Sequence, residues 1–115
     1  MPNLKIHFLH CFLNDETDAD EIYLKYNGKK IWPLGFFKSI NSGDIQKVEV
    51  TLKHNDPHVP VEIEVWDYDF LSRNDLLGTF TLTIGDETKG RYQASMKATE
   101  EHSSASYLLD WEILG

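Results

Sequence analysis

Short segments of alternating apolar and polar residues limit the folds open to this 115-residue chain. In one of them, Val61, Ile63 and Val65 alternate with two glutamates, and residues 79–84 alternate threonines with apolar residues. Such a period of two is typical of a strand with one buried face. About eight segments of this kind, separated by turn residues and without a convincing helix pattern, indicate an antiparallel sandwich or a closed barrel. We favour an all-β, eight-stranded antiparallel β-sandwich.

The pattern predicts strands at residues 4–13, 22–26, 29–32, 45–54, 61–66, 76–84, 91–98 and 107–113. Asn27-Gly28 is a strong signal for a two-residue hairpin, and the apolar residues 34–37 are expected to form a loop packed against an end of the sandwich. The length is that of one domain, residues 1–115.

Composition excludes several classes of function. With 41% hydrophobic and 12% aromatic residues the chain can build a core, and its net charge of −8 disfavours nucleic acid as a partner. Apolar runs fall far short of the roughly 20 residues that span a bilayer, and no signal peptide is evident, so we expect a cytoplasmic protein.

Two histidines and a cysteine near the N-terminus raise the question of a metal or catalytic site. In a regular strand His7 and Cys11 share one face and His10 takes the other, so they are not expected to converge. Cys11 is the only cysteine, which excludes an intrachain disulfide and favours a buried structural role. No nucleophile lies near the acidic residues and no phosphate-binding glycine loop exists, so neither an enzyme nor a small-molecule substrate is expected.

Two loops are rich in carboxylates. After the strand at 61–66, Asp67 and Asp69 lie two residues apart and would point the same way, while the following residues let Asp75 return to them. Clustered carboxylates suit calcium, which takes six to eight oxygen ligands in flexible geometry. The alternative is that these are solvated turns, where Asp is favoured for its own hydrogen bonds. The second acidic loop holds Asp15, Glu16, Asp18, Asp20 and Glu21.

The segment after this strand also carries a resemblance. Trp66-Asp67-Tyr68-Asp69, then Ser72-Arg73-Asn74-Asp75 and Leu77-Gly78, resembles the third calcium-binding loop of C2 domains, the calcium-dependent lipid-binding sandwich modules. The likeness extends from Leu4 to Leu114. Because the first strand leads directly into an acidic loop and a full strand ends the chain, the strand order resembles the phospholipase-C type.

The resemblance implies a site where both acidic loops meet. The implied calcium ligands are Asp15, Asp20 or Glu21, Asp67, Asp69, Asp75 and the carbonyl oxygen of Tyr68. The first loop departs from the family pattern, because Glu21-Ile22-Tyr23 stands where Asp-Pro-Tyr is usual, and Glu16 is a further candidate. Phe70 and Leu71 fall where the family places residues that enter the bilayer. The alternative for these two is that one of them covers the core.

The implied function is a calcium-binding module that docks on phospholipid membranes, cytoplasmic and peripherally bound to the membrane when loaded with calcium. The alternative is a protein-interaction or assembly module in which calcium is structural or absent. For that alternative the segment from Trp32 to Phe37 is the candidate partner surface. Trp66 and Trp111 are expected in the core.

Overall fold

The computed structural model describes residues 3–85 and 89–114, which form two antiparallel sheets packed face to face. The strands are β1 (Asn3–Leu13), β2 (Asp20–Tyr26), β3 (Lys29–Trp32), β4 (Lys38–Ile40), β5 (Ile45–Lys53), β6 (Val61–Asp67), β7 (Asp75–Leu82), β8 (Gly90–Ser95), β9 (Lys97–Ala98) and β10 (Ser106–Ile113). One turn of 3-10 helix spans Glu100–His102. The four-stranded sheet has the order β5-β1-β10-β8, and the six-stranded sheet has the order β3-β2-β6-β7-β9 with β4 beside β2.

The predicted all-β antiparallel sandwich is confirmed, but the described residues form ten strand segments rather than eight. The expected strand at 91–98 divides at Met96, where the chain crosses from β8 in one sheet to β9 in the other. Alternation cannot reveal such a crossing, because both halves keep the same period. The short β4 follows the loop at 33–37 and was not predicted.

Alternation places the core where the sequence indicates it. Val61, Ile63 and Val65 are fully buried, and fully burying an aliphatic side chain of this kind contributes about 2 kcal/mol. Trp111 is also buried, as expected. Trp66 is only half-buried, because it follows Val65 and therefore faces outward, so its predicted core position is wrong.

The hairpin between β2 and β3 has the expected turn. Asn27 and Gly28 both have positive φ, +50° and +76°, which is the requirement of a two-residue type I′ turn. Tyr26 pairs with Lys29 across it.

The histidine arrangement near the N-terminus differs from the regular strand we assumed. A β-bulge between Ile6 and Phe8 shifts the alternation. As a result His7 and His10 both bond carboxylates of β10, at Glu112 and Asp110. Cys11 alone faces the core, 1% exposed, and burial raises the pKa of its thiol to about 11. The buried structural role of this cysteine is confirmed.

Both acidic loops lie at the same end of the sandwich. Residues 14–19 follow β1 and residues 68–74 follow β6, and β2 bridges them because Asp20 begins it and Ile22 pairs with Asp67. The first strand leads straight into an acidic loop and β10 is a full strand at the C-terminal side, which are the two features from which the strand order was inferred. In the structure β10 pairs with β1. Within the described residues, no helix has the length and apolar character needed to cross a membrane.

Candidate functional site

Asp67 is a buried carboxylate at the end of β6. It continues the inward-facing series of Val61, Ile63 and Val65, which explains its exposure of only 5%. Its Oδ1 accepts a hydrogen bond from the backbone N–H of Glu21, at 2.9 Å. Desolvation by burial raises the pKa of Asp67 to about 8, and the nearby Glu16 and Asp20 carboxyl groups also act to raise it.

The Glu16 carboxyl group, which is exposed, lies close enough to Asp67 to help raise its pKa. Neighbouring carboxyl groups disfavour ionisation of one another, because like charges repel. Among the residues that the structure describes, the ion pairs found all involve histidines bonded to other carboxylates, and none reaches Asp67 or Glu16. The negative charge at this point is therefore not offset by a basic side chain.

Asp20 is also buried but is fully hydrogen-bonded. Its two oxygens accept hydrogen bonds from the backbone N–H groups of Asp15, at 2.8 and 3.0 Å, and of Glu16, at 3.0 Å. The Tyr107 hydroxyl donates a further bond of 2.6 Å to it. Burial, followed by the contact with the Asp20 carboxylate, raises the pKa of this tyrosine far above its usual range. Asp20 thus fixes the first acidic loop against β10.

The carboxylate of Asp15 points to the other side of that loop. Its Oδ2 lies 2.7 Å from Nδ1 of His102, in the 3-10 turn. The sequence separation of 87 between the two partners explains why no sequence pattern indicated this pair. Glu21 contributes backbone groups to the junction, because its carbonyl accepts the N–H of Tyr68 at 2.7 Å.

In the second loop Asp69 is exposed and turned toward its own chain. It accepts hydrogen bonds from the N–H groups of Leu71 and Ser72 and from the Ser72 hydroxyl, and the last of these is the main cause of its lowered pKa. Asn74 braces the loop, since it accepts the N–H of Asp69 and donates to the Tyr23 hydroxyl, both at 2.8 Å. Asp75 is exposed and lies opposite Asp67 in the β6–β7 ladder.

The two apolar residues of this loop stand clear of the protein. Phe70 is 81% exposed and Leu71 is 86% exposed. Neither covers the core, which was the competing interpretation of their position. They project at the end of the sandwich where the acidic loops lie.

The predicted ligands are therefore only partly gathered. The structure brings together Asp67, Asp20 and Glu16, places Asp75 beside Asp67, and turns Asp15 and Asp69 toward other partners. Among residues 3–85 and 89–114, no group of three His, Cys, Asp or Glu side chains is arranged closely enough to hold a metal ion. The oxygen chemistry suits calcium, while a closed set of ligands requires movement of the loop side chains.

Comparison with known proteins identifies the architecture. Residues 45–100 match the model of the family described as C2 domain. The fold is similar to a C2 domain of a plant extended synaptotagmin 1, with a TM-score of 0.54 and 12% identity over 96% of this chain and 90% of that one. The resemblance to C2 domains is confirmed, and the protein has a C2-type fold.

The C2-type chain is also similar to part of a human GIVD cytosolic phospholipase A2, solved with an inhibitor and terbium chloride. That match has a TM-score of 0.55 and 15% identity, and it covers 98% of this chain but 17% of the enzyme. The likeness therefore concerns the fold of a small part of that enzyme. A search of curated protein sequences finds no match to the chain.

Proposed function

We propose that this C2-type module is a cytoplasmic protein that docks on phospholipid membranes when calcium binds between its two acidic loops. The observation that carries the proposal is the buried carboxyl group of Asp67, which has no basic partner and lies near the buried Asp20 and the exposed Glu16. A buried carboxylate with acidic neighbours is costly unless a proton or a cation offsets its charge. A cation that displaces the proton would leave the carboxyl groups ionised, and its positive charge would balance theirs.

Asp67 and Glu16 are the ligands best placed for this role. Asp20 already accepts hydrogen bonds on both oxygens, so it serves first to position the loop that carries Glu16. Asp75 adds a carboxylate from the opposite strand, and Asp15, Glu21, Asp69 and the Tyr68 carbonyl remain candidates that require local rearrangement. Bound calcium would supply positive charge and open coordination positions for lipid phosphate oxygens.

The loop tip provides the apolar part of docking. Phe70 and Leu71 lie beyond Asp69, exposed to solvent, and removing their apolar surface from water contributes about 25 cal/mol per Å². In the calcium-free protein the charge of the acidic loops weakens binding to an anionic membrane, and cation binding cancels that repulsion. Charge neutralisation and apolar insertion therefore act at the same end of the sandwich.

The test is sedimentation with phosphatidylcholine and phosphatidylserine vesicles, in chelator and in excess calcium. We expect calcium to increase binding of the wild type, and Asp67→Asn to abolish the increase. Glu62→Gln is the matched control, because it removes one negative charge from an exposed position on the same strand. Phe70→Ser with Leu71→Ser should weaken calcium-dependent binding by about tenfold or more. Equal binding of the wild type with and without calcium would refute calcium-dependent docking.

A further inference from the structure

A second group of exposed apolar side chains lies outside the acidic loops, in the 33–37 segment that joins β3 to β4. Leu34 is fully exposed, at 107% of its reference area, and Phe36 is 73% exposed. The expectation that this segment packs against an end of the sandwich is therefore only half fulfilled. Trp32, just before it, is buried and anchors the segment to the core.

The 33–37 segment is fixed to the loop at 68–74. The ring of Phe36 stacks on Tyr68 with centroids 5.8 Å apart, and the ring of Phe37 stacks on the same tyrosine at 5.3 Å. The Lys30 ammonium donates to the carbonyl of Gly35 and ties the segment back to β3. Because Tyr68 begins the loop that carries Phe70, the two apolar tips are coupled by packed aromatic rings.

The stretch of sequence that contains this segment is basic, in contrast to the protein as a whole. The chain carries a net charge of −8, yet residues 22–43 contain no Asp or Glu. The same stretch holds Lys25, Lys29, Lys30 and Lys38. Lys30 and Lys38 adjoin the segment, whereas Lys25 lies opposite Glu64 and Lys29 lies beside the β2–β3 turn. Basic side chains that flank protruding apolar ones complement an anionic bilayer, because the negative surface potential attracts lysine close to the headgroups.

We propose that the 33–37 segment is a second membrane anchor, which inserts Leu34 and Phe36 into an anionic phospholipid bilayer without requiring calcium. This inference rests on the membrane-docking function proposed above. A bilayer is favoured over a protein partner because the segment combines protruding apolar side chains with lysines and is joined by stacked rings to the loop of Phe70. Most exposed large apolar residues among those described lie at the end of the sandwich that carries the acidic loops. Val59 and Leu114 lie at the opposite end, beside the start of β6 and the end of β10.

Vesicle binding in chelator isolates this anchor from the calcium site. We expect wild-type protein to bind phosphatidylserine-containing vesicles weakly in chelator, and Leu34→Ser with Phe36→Ser to reduce that binding by about tenfold or more. The calcium-induced increase should remain in this double variant. Val59→Ser is the matched control, since Val59 is 51% exposed and distant from both loops. A double variant that binds as Val59→Ser does would overturn the second anchor.

The two proposals can fail separately. Chelator-resistant binding that depends on Leu34 and Phe36, with no further effect of calcium, would refute the calcium site and leave the anchor standing. A calcium-dependent increase with no binding in chelator would refute the second anchor and leave the calcium site standing.

A fluorescent label tests insertion directly. Cys11 is buried and its thiol has a raised pKa, so a cysteine introduced by Leu34→Cys reacts first with an environment-sensitive dye. We expect a blue shift on adding anionic vesicles in chelator, and no shift for the same dye on Val59→Cys. An unchanged spectrum at position 34 would overturn the proposal. A shift that instead follows protein concentration without vesicles would assign the segment to self-association and also overturn it.

Discussion

Asp20 and Asp67 are both buried carboxylates, but their surroundings give them different roles. Asp20 accepts hydrogen bonds from two backbone N–H groups and from Tyr107, which stabilise its ionised form. Asp67 has one backbone donor and faces Glu16, an acidic neighbour. Asp20 is thus a structural residue, because its hydrogen bonds satisfy its charge. Asp67 has fewer hydrogen-bond donors and is therefore available to a proton or a cation.

This difference predicts how stability depends on pH. The pKa of Asp67 is about 8 in the folded protein against an ordinary 3.8, so the folded state binds the additional proton between these values. The stabilisation from that proton is fully present below the lower pKa and is lost as pH rises through the higher one. In chelator, the midpoint temperature of thermal unfolding of the wild type should decrease as the pH is raised from about 5 to about 8. This decrease should be larger than the one in Asp67→Asn.

Asparagine keeps the acceptor for the Glu21 N–H and removes the titrating group. The stability of Asp67→Asn should therefore vary less with pH, by about a few kcal/mol between pH 5 and pH 8. Glu62→Gln should follow the wild type. Parallel curves for wild type and Asp67→Asn would show that Asp67 does not titrate in this range.

At the scale of elements, β7 and β9 approach closely at Gly78. A Cβ atom added there would lie 2.5 Å from the backbone carbonyl oxygen of Lys97 and 2.7 Å from Cγ of Met96. The methionine can move, but the carbonyl belongs to the ladder in which Gly78 pairs with Ala98. The glycine of the Leu77-Gly78 motif is therefore required for packing of β9 against β7.

We expect Gly78→Ala to lower the free energy of unfolding by about 1–3 kcal/mol, the usual cost of overpacking. Urea denaturation provides the measurement. Thr79→Ala, the next residue along and only half-buried, is the control and should cost less. If the two variants were equally stable, the close approach of β9 would not be a constraint.

Alternation located most elements but not their irregularities. The strand at 61–66 follows directly from its residues, because its alternation reports which face is buried. The strand at 29–32 follows from the Asn27-Gly28 turn before it. The bulge at His7 and the crossing at Met96 depend on neighbouring strands, which local pattern does not encode. The spacing of Asp67, Asp69 and Asp75 indicated where a site would lie. It could not show that Asp69 bonds its own loop or that His102 holds Asp15.

At the scale of the whole molecule, the apolar core that stabilises the sandwich lies apart from the end that carries the acidic loops. The two sheets bury a continuous apolar cluster, while two acidic loops and exposed apolar tips lie together beyond β1 and β6. Repulsion among carboxylates and exposure of Phe70 and Leu71 both oppose compact folding there. A ligand that binds this end should therefore stabilise the entire fold, since unfolding of so small a domain is cooperative.

Calcium should accordingly raise the midpoint of global thermal unfolding. A ligand that binds only the folded state adds about 2.7 kcal/mol at a concentration one hundred times its dissociation constant. We expect this rise in the wild type and its loss in Asp67→Asn with Asp69→Asn. Magnesium, which prefers tighter octahedral geometry and keeps its waters, should have a smaller effect, and monovalent salt only that of screening. An equal rise with magnesium or salt would mean that cations act on the acidic end by screening alone, and the loops would then be solvated turns.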